Sequence, residues 1–267
     1  MNHLLRRLAP ITDDAWDLLD DEARERATAA LSARRLVDFS GPHGWRHSAT
    51  DLGRTRPVAK APERGIEAVQ RQVLPLVELR AGFDVSRAEL QDHTRGAVDV
   101  DLADLDDAAR RIAVAENAAV FHGWEQAGMA GITDVSPHER LPFGTSADDV
   151  PGSVAGAVEL LLQSGVSGPY GLALGPEEYT QVLEATEHGG YPLRDHLAKV
   201  VDGPIVWTPG LSGAVVLSLR GDDFLYESGQ DLSLGYAGHD ADAVHLYLGE
   251  SFSFRVATPE AAVALSR

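Results

Sequence analysis

Cysteine is absent from the 267-residue chain. That excludes a disulfide framework, a thiolate metal site, an iron–sulfur cluster and a cysteine nucleophile. Lysine is nearly absent: only Lys60 and Lys199 occur, and neither closes the glycine-rich run of a phosphate-binding loop. No apolar run approaches the ~18 residues of a membrane span. The amino end, MNHLLRRLAPITDDAW, is interrupted by Arg6 and Arg7 and followed by Asp13 and Asp14. It lacks the apolar centre of a secretory signal, so a cytoplasmic protein is expected. Positive charge is scarce overall, with 23 basic against 41 acidic residues and a net charge of −18. Clustered Lys and Arg are what bind phosphate, so nucleic acid is not an expected partner. The same charge keeps a chain soluble and makes it repel its own copies.

What is present reads as one large domain or two modest ones. The residues 12–36 predict a helix, with Thr12 as N-cap, acids in the first turn, and Arg34 and Arg35 at the carbonyl end. Its stripe is Trp16, Leu19, Ala23, Ala27, Ala30 and Leu31, spaced by three and four. Residues 39–48 form a turn-rich break. Pro57, Pro62 and Pro75 forbid a helix through 49–80 and leave a long two-stranded excursion, which needs neighbours to be stable. The longest helix is expected over 102–128, with Leu105, Ala108, Ala109, Ile112, Ala115, Ala119 and Val120 on one face and Gly128 and Gly131 as its stop. Further helices are expected over 148–164, from Pro176, and at LRDHLAKVV, with a buried strand at SGPYGLAL. The last third is β. From 244 to 256 the chain alternates, and Glu250 is the one polar residue on the apolar face. The class is α+β.

Chemistry-bearing clusters are sparse. His43 and His47 stand four apart, but on a turn with Pro42 and Gly44: a metal pair or two loop histidines. His188 and His196 flank Gly-Gly-Tyr-Pro, and His239 lies beside Asp240 and Asp242, as a proton relay or a solvated turn. The acid run 99–107 lacks the glycine-centred loop of a calcium site and reads as a helix start. No nucleophile elbow and no dinucleotide fingerprint occurs. No catalytic residue, metal site or cofactor site is assigned.

The motifs taken together resemble one family. LAPIT with Trp16, ARRLVDFSGPHGW, PLVELRAGF, HTRG, AENAAVFHGW, SGPYGLAL, GGYPLRDHL, GQDLSLGYAGHD and AVHLYLGESFSFRV follow the order and spacing of the encapsulin shell proteins, or linocin-type bacteriocins. The resemblance runs from Leu8 almost to the last residue. It implies a major capsid fold of the Hong Kong 97 phage type. An amino-terminal helix and arm would span 1–48 and an extended loop 49–82. A peripheral domain would take 83–135 plus 223–267, and an axial domain 136–222. It further implies self-assembly, by family resemblance as 60 copies, into an icosahedral compartment in the bacterial cytoplasm. The cargo would be a ferritin-like protein or dye-decolorizing peroxidase, held by a carboxyl-terminal peptide, giving an iron-storage or oxidative-stress role. Competing readings are a prophage-type capsid protein and a hydrolase or peptidase.

The resemblance also implies two sites. The cargo peptide would dock against Leu31, Arg34, Asp38, Leu232, Leu234 and Tyr236. A five-fold pore would be lined by Glu184, Glu187, His188, Gly189, Gly190 and Tyr191, where the second glycine suggests a mobile rim and the charges favour cations. A flavin site known in some members is not carried over, because Arg87 and Ala88 stand where a tryptophan would be needed.

Overall fold

The computed structural model describes residues 3–185 and 191–266. A short 3-10 turn, Arg6–Leu8, precedes helix α1, Asp13–Ala30. Thr12 caps α1 by accepting from the Ala15 amide at 3.3 Å, with Asp13 and Asp14 in the first turn. The expected stripe is buried in full. The helix stops earlier than the sequence predicts, and Ala33–Arg35 is a separate 3-10 turn. The cause is Asn117. Its Oδ1 accepts the Ala33 amide at 2.9 Å, which a continuing helix would have sent to Ala29, and its Nδ2 donates to the Ala30 carbonyl at 2.9 Å. Arg34 is therefore not a cation at a helix end; it turns inward.

Strand β1, Asp38–Ser40, is followed by a two-stranded ribbon of β2, Ala49–Pro57, and β3, Val69–Pro75. Val58, Ile66, Val69 and Val73 are exposed on it, as expected of an excursion that lacks neighbours within one chain. Strand β4, Val77–Ser86, leaves the ribbon and joins the main sheet, so residues 77–82 of the expected 49–82 loop are ordinary sheet. Helix α2, Arg87–Thr94, leads to α3, Ala103–His122. The expected end at Gly128 is displaced to Gly123, whose φ is +79° and whose added Cβ would lie 2.7 Å from the Gly131 amide. On α3 the expected Ala115 is exposed, while Glu116 and Asn117 are fully buried.

The chain continues through α4, Ile132–Val135; β5, Leu141–Pro142; α5, Val150–Gln163; β6, Tyr170–Leu174; α6, Pro176–Glu184; α7, Leu193–Val201; β7, Ile205–Trp207; and β8, Ala214–Ser218. It closes with β9, Phe224–Ser228; β10, Ser233–His239; β11, Ala243–Val256; and β12, Ala262–Ser266.

Two five-stranded sheets result. In the first, β11 is central: β4 pairs along one edge, and β10 and then β9 along the other, with β1 parallel to β9. Helices α1 and α3 cover it, burying Trp16, Leu19, Leu105 and Ile112 against Phe83, Val85, Leu246 and Leu248. Burying each such side chain contributes ~1.5–3 kcal/mol. The second sheet runs β5-β12-β8-β6-β7 and packs against α5 and α7. Strand β12 pairs with β8, so the last strand belongs to this sheet and not, as expected for 223–267, to the first.

Candidate functional site

A cavity of about 350 Å³ opens between the outer half of α1 and the edge of the first sheet. Ala23 and Ala27 line it from α1, four residues apart on one face, and their small side chains leave the gap. Leu31 and Arg34 close one end, Asp20 borders the wall, and Leu232, Ser233, Leu234 and Leu248 form the sheet side. Of the six expected peptide contacts, Leu31, Arg34, Leu232 and Leu234 meet here. Asp38 and Tyr236 do not line this cavity. Asp38 opens β1, and the Tyr236 hydroxyl is bonded to Nδ1 of His239.

Behind the groove sits an ion cluster. The Arg34 side chain is only 14% exposed. Its guanidinium donates to Glu116 at 2.6–3.0 Å, to Glu250 at 2.5 Å and to Asp231 at 2.5 Å. Tyr226 donates its hydroxyl to Glu116 at 2.7 Å. Burial disfavours the guanidinium charge, but Glu116 and the other partners outweigh it and hold the Arg34 pKa above its ordinary value. Burial, and then repulsion from Glu116, push the Glu250 carboxyl well upward, and its Oε1 has no hydrogen-bond partner. Burial likewise raises the Tyr226 phenol. Breaking such a cluster by removing one member strands a buried charge, which costs about 3–5 kcal/mol. Arg34 thus anchors the groove's closed end to α3, β9 and β11.

Glu250 is legible in the sequence as the polar exception in an apolar alternation. Glu116, Asn117 and Tyr226 are not. Their periodicity looks like core, and only their partners, dozens of residues away, reveal a polar role.

The remaining candidates form no common site. The His43 and His47 rings stay neighbours, with centroids 4.9 Å apart, but His43 bonds Ser40 at 3.0 Å while His47 pairs with Glu227. His239 faces Tyr236, and it is His245 that lies between Asp84, at 2.7 Å, and Asp240, at 3.6 Å. Among the described residues no group of three metal-ligating side chains converges. Also among the described residues, no helix is long and apolar enough to cross a membrane. Of the pore residues, Glu184 ends α6 and Tyr191 stands before α7 with its ring 5.0 Å from Nζ of Lys199. The Leu193 amide closes back on the Ala185 carbonyl at 3.2 Å. Glu187, His188, Gly189 and Gly190 lie outside the described residues.

The Linocin_M18 family profile, described as "Encapsulating protein for peroxidase", matches residues 1–253. The chain is 46% identical over 270 residues to a type 1 encapsulin shell protein of Rhodospirillum rubrum, covering 99% of this chain and 96% of that one. It is 42% identical over 267 residues to one of Brevibacterium linens, covering 100% of each. A ferritin-like-encapsulin shell fusion protein of Pyrococcus furiosus is 25% identical over 205 residues, which is 76% of this chain and 56% of the fusion. Among solved structures, a virus-like particle from Pyrococcus furiosus aligns with a TM-score of 0.66 at 20% identity, over 93% of this chain and 98% of that chain. The capsid of an empty GTA particle aligns at 0.56 and 16% identity, over 88% and 89%.

Proposed function

The chain belongs to the Linocin_M18 family of encapsulin shell proteins, and from that membership we propose that its copies close into a hollow compartment that captures cargo by a carboxyl-terminal tail. The family is structural, not enzymatic, and the fold is the α+β capsid fold of the Hong Kong 97 type. The proposed division is an amino-terminal helix and arm over 1–48, an extended loop over 49–82, a peripheral domain over 83–135 with 223–267, and an axial domain over 136–222, adjusted at two places: β4 from Val77 counts with the peripheral sheet and β12 with the axial one. In this reading 60 copies close one shell in the bacterial cytoplasm, and Glu184, Glu187 and His188 line a cation-favouring pore.

The observation that carries the tail-capture reading is the groove. Residues from opposite ends of the chain, Leu31 and Arg34 with Leu232 and Leu234, wall a single slot of about 350 Å³ in which apolar side chains alternate with the charged Asp20, Arg24, Arg34 and Asp231. Such a slot suits a short extended peptide better than a compact metabolite. A ferritin-like or peroxidase cargo, and with it an iron-storage or oxidative-stress role, is supported by two names: the family's peroxidase description and the ferritin-like shell fusion. The charge of −18 supports protein over a genome as content, against the prophage-capsid alternative.

The test is co-expression of the chain with its gene neighbours, followed by size-exclusion chromatography and negative-stain microscopy. Uniform hollow particles with a co-sedimenting protein are expected. Leu232→Arg, at the half-buried rim, should leave particles intact and empty. A small monomer would overturn the shell reading, and undiminished loading of Leu232→Arg would overturn the groove.

A further inference from the structure

The closed end of the groove is joined to a buried acid pair. Arg34 is the link, and its guanidinium reaches both ways. Nη1 turns to the groove wall and donates to Asp231 at 2.5 Å. Nε and Nη2 turn inward, to Glu116 at 2.6–3.0 Å and to Glu250 at 2.5 Å. The Asp231 side chain is 45% exposed at the cavity border, whereas Glu116 and Glu250 are buried.

One cation therefore serves three carboxyl groups. Ionising all three would leave negative charge uncompensated in the interior, which a buried site resists by keeping a proton. The partners decide which carboxyl keeps it. Asp231 reaches solvent. Glu116 accepts from the Arg34 fork and from the Tyr226 hydroxyl at 2.7 Å. Glu250 accepts one bond, and its Oε1 has no partner among the described residues. Its neighbour across on β4 is the apolar Leu79. The charged and titratable groups around it are Arg34 from the 3-10 turn, Glu116 from α3, Tyr226 from β9 and Asp231 before β10. Glu250 is thus the carboxyl that holds the proton, in agreement with its upward shift from burial.

We propose that the groove is proton-gated: it holds its tail while Glu250 carries a proton and lets go when that proton passes to solvent, with Arg34 carrying the change to Asp231. The inference rests on the tail-capture reading and adds its regulation. An occupant covers Asp231, strips it of solvent and makes its charge felt more strongly inside. Glu250 then holds its proton more tightly, and by reciprocity the proton strengthens the occupant's binding. Once the proton leaves, two buried anions draw Arg34 inward. Asp231 stays behind unpaired on the groove wall, and covering an unpaired charge opposes binding. Binding is therefore strongest below the Glu250 transition. It falls as pH rises through that transition, by at most about tenfold per pH unit, the limit for one proton.

The probe is a library of short random tails without charged residues on a monomeric, pH-insensitive fluorescent carrier, co-expressed with the full chain; shells are sedimented and the retained tails sequenced. Uncharged tails leave the titration to the chain's own groups. The most enriched tail is loaded at low occupancy, and carrier anisotropy is followed in intact shells as pH is raised from neutral and lowered again. A released carrier stays enclosed but tumbles faster, and a carrier without a tail gives the baseline. Wild-type shells are expected to lose bound carrier reversibly as pH rises. Glu250→Gln, which keeps the neutral shape, is expected to hold it throughout. Asp231→Asn, at a partly exposed site, should flatten the binding profile in the same way while its thermal stability still falls with pH, a split that a merely structural role would not produce. A flat wild-type profile, or a profile that either variant reproduces unchanged, overturns the gate and leaves tail capture standing. Failure of any tail to be enriched in wild-type shells overturns tail capture itself.

Discussion

Asn117 is the residue on which the junction of the first sheet's helices depends, and Asn117→Ala measures that dependence. The side chain is fully buried. It makes three hydrogen bonds: it accepts from the Ala33 amide at 2.9 Å, and donates to the carbonyls of Ala30 at 2.9 Å and Pro209 at 2.8 Å. After truncation the Ala30 carbonyl keeps the Ser32 amide at 2.8 Å, but the Ala33 amide and the Pro209 carbonyl lose this buried partner. Each net hydrogen bond contributes about 1 kcal/mol, and a stranded buried group adds about 1–3 kcal/mol more. The expected loss is therefore about 3 kcal/mol or more, a large part of the ~5–15 kcal/mol that holds a typical domain. Asn117→Asp should cost at least as much, although it is isosteric. It keeps the Ala33 bond but sets an unpaired anion against two carbonyls. The assay is guanidinium unfolding followed by tryptophan fluorescence at matched protein concentration, because assembly ties stability to concentration. A loss below about 1 kcal/mol for Asn117→Ala would refute the reasoning, since water or a backbone shift would then be replacing all three bonds.

Three further outcomes are expected. The Glu250 pKa is raised above its ordinary 4.5, so the folded state holds that proton more tightly than the unfolded state. Stability should fall as pH rises through that window, and Glu250→Gln should flatten the slope in thermal melts; parallel slopes would count against it. His122 is the opposite case. Burial, and then Arg140, lower its pKa from 6.5, and its Nε2 accepts the Ser212 amide at 3.1 Å, which only the neutral ring can do. Stability should be lost as pH falls below the ordinary histidine range, and less so in His122→Gln, whose carbonyl accepts at every pH; identical acid limbs would contradict this. Finally, Val69→Asp with Val73→Asp should abolish particles in size exclusion while leaving circular dichroism unchanged, because both valines are exposed on the ribbon of a single chain. Intact particles would mean the ribbon is not an assembly surface.

How much was legible follows from how far each cause lies along the chain. Local signals carried the elements. The Thr12 cap, the Trp16 to Leu31 stripe, the fully buried β6 and the alternation of β11 depend on neighbours within one turn or one pleat. The ordered motifs carried the family, and with it the fold. Leu31, Arg34, Leu232 and Leu234 line one cavity, while Asp38 and Tyr236 do not border it, because which residues meet depends on how α1 packs against β10.

The sequence alone determined that this chain is an acidic α+β protein without cysteine, unable to staple itself or its copies through disulfides, with a proline-broken excursion over 49–80 that needs neighbours to be stable. Tertiary structure decided the rest. It decided that α1 ends at Ala30, because Asn117, eighty-four residues from Ala33, takes the amide a longer helix needed. It decided that Arg34 is an interior anchor, because three acids from three separate segments surround it. It also decided that Leu234 stands opposite Leu248, because strand register, unlike alternation, is a relation between two segments.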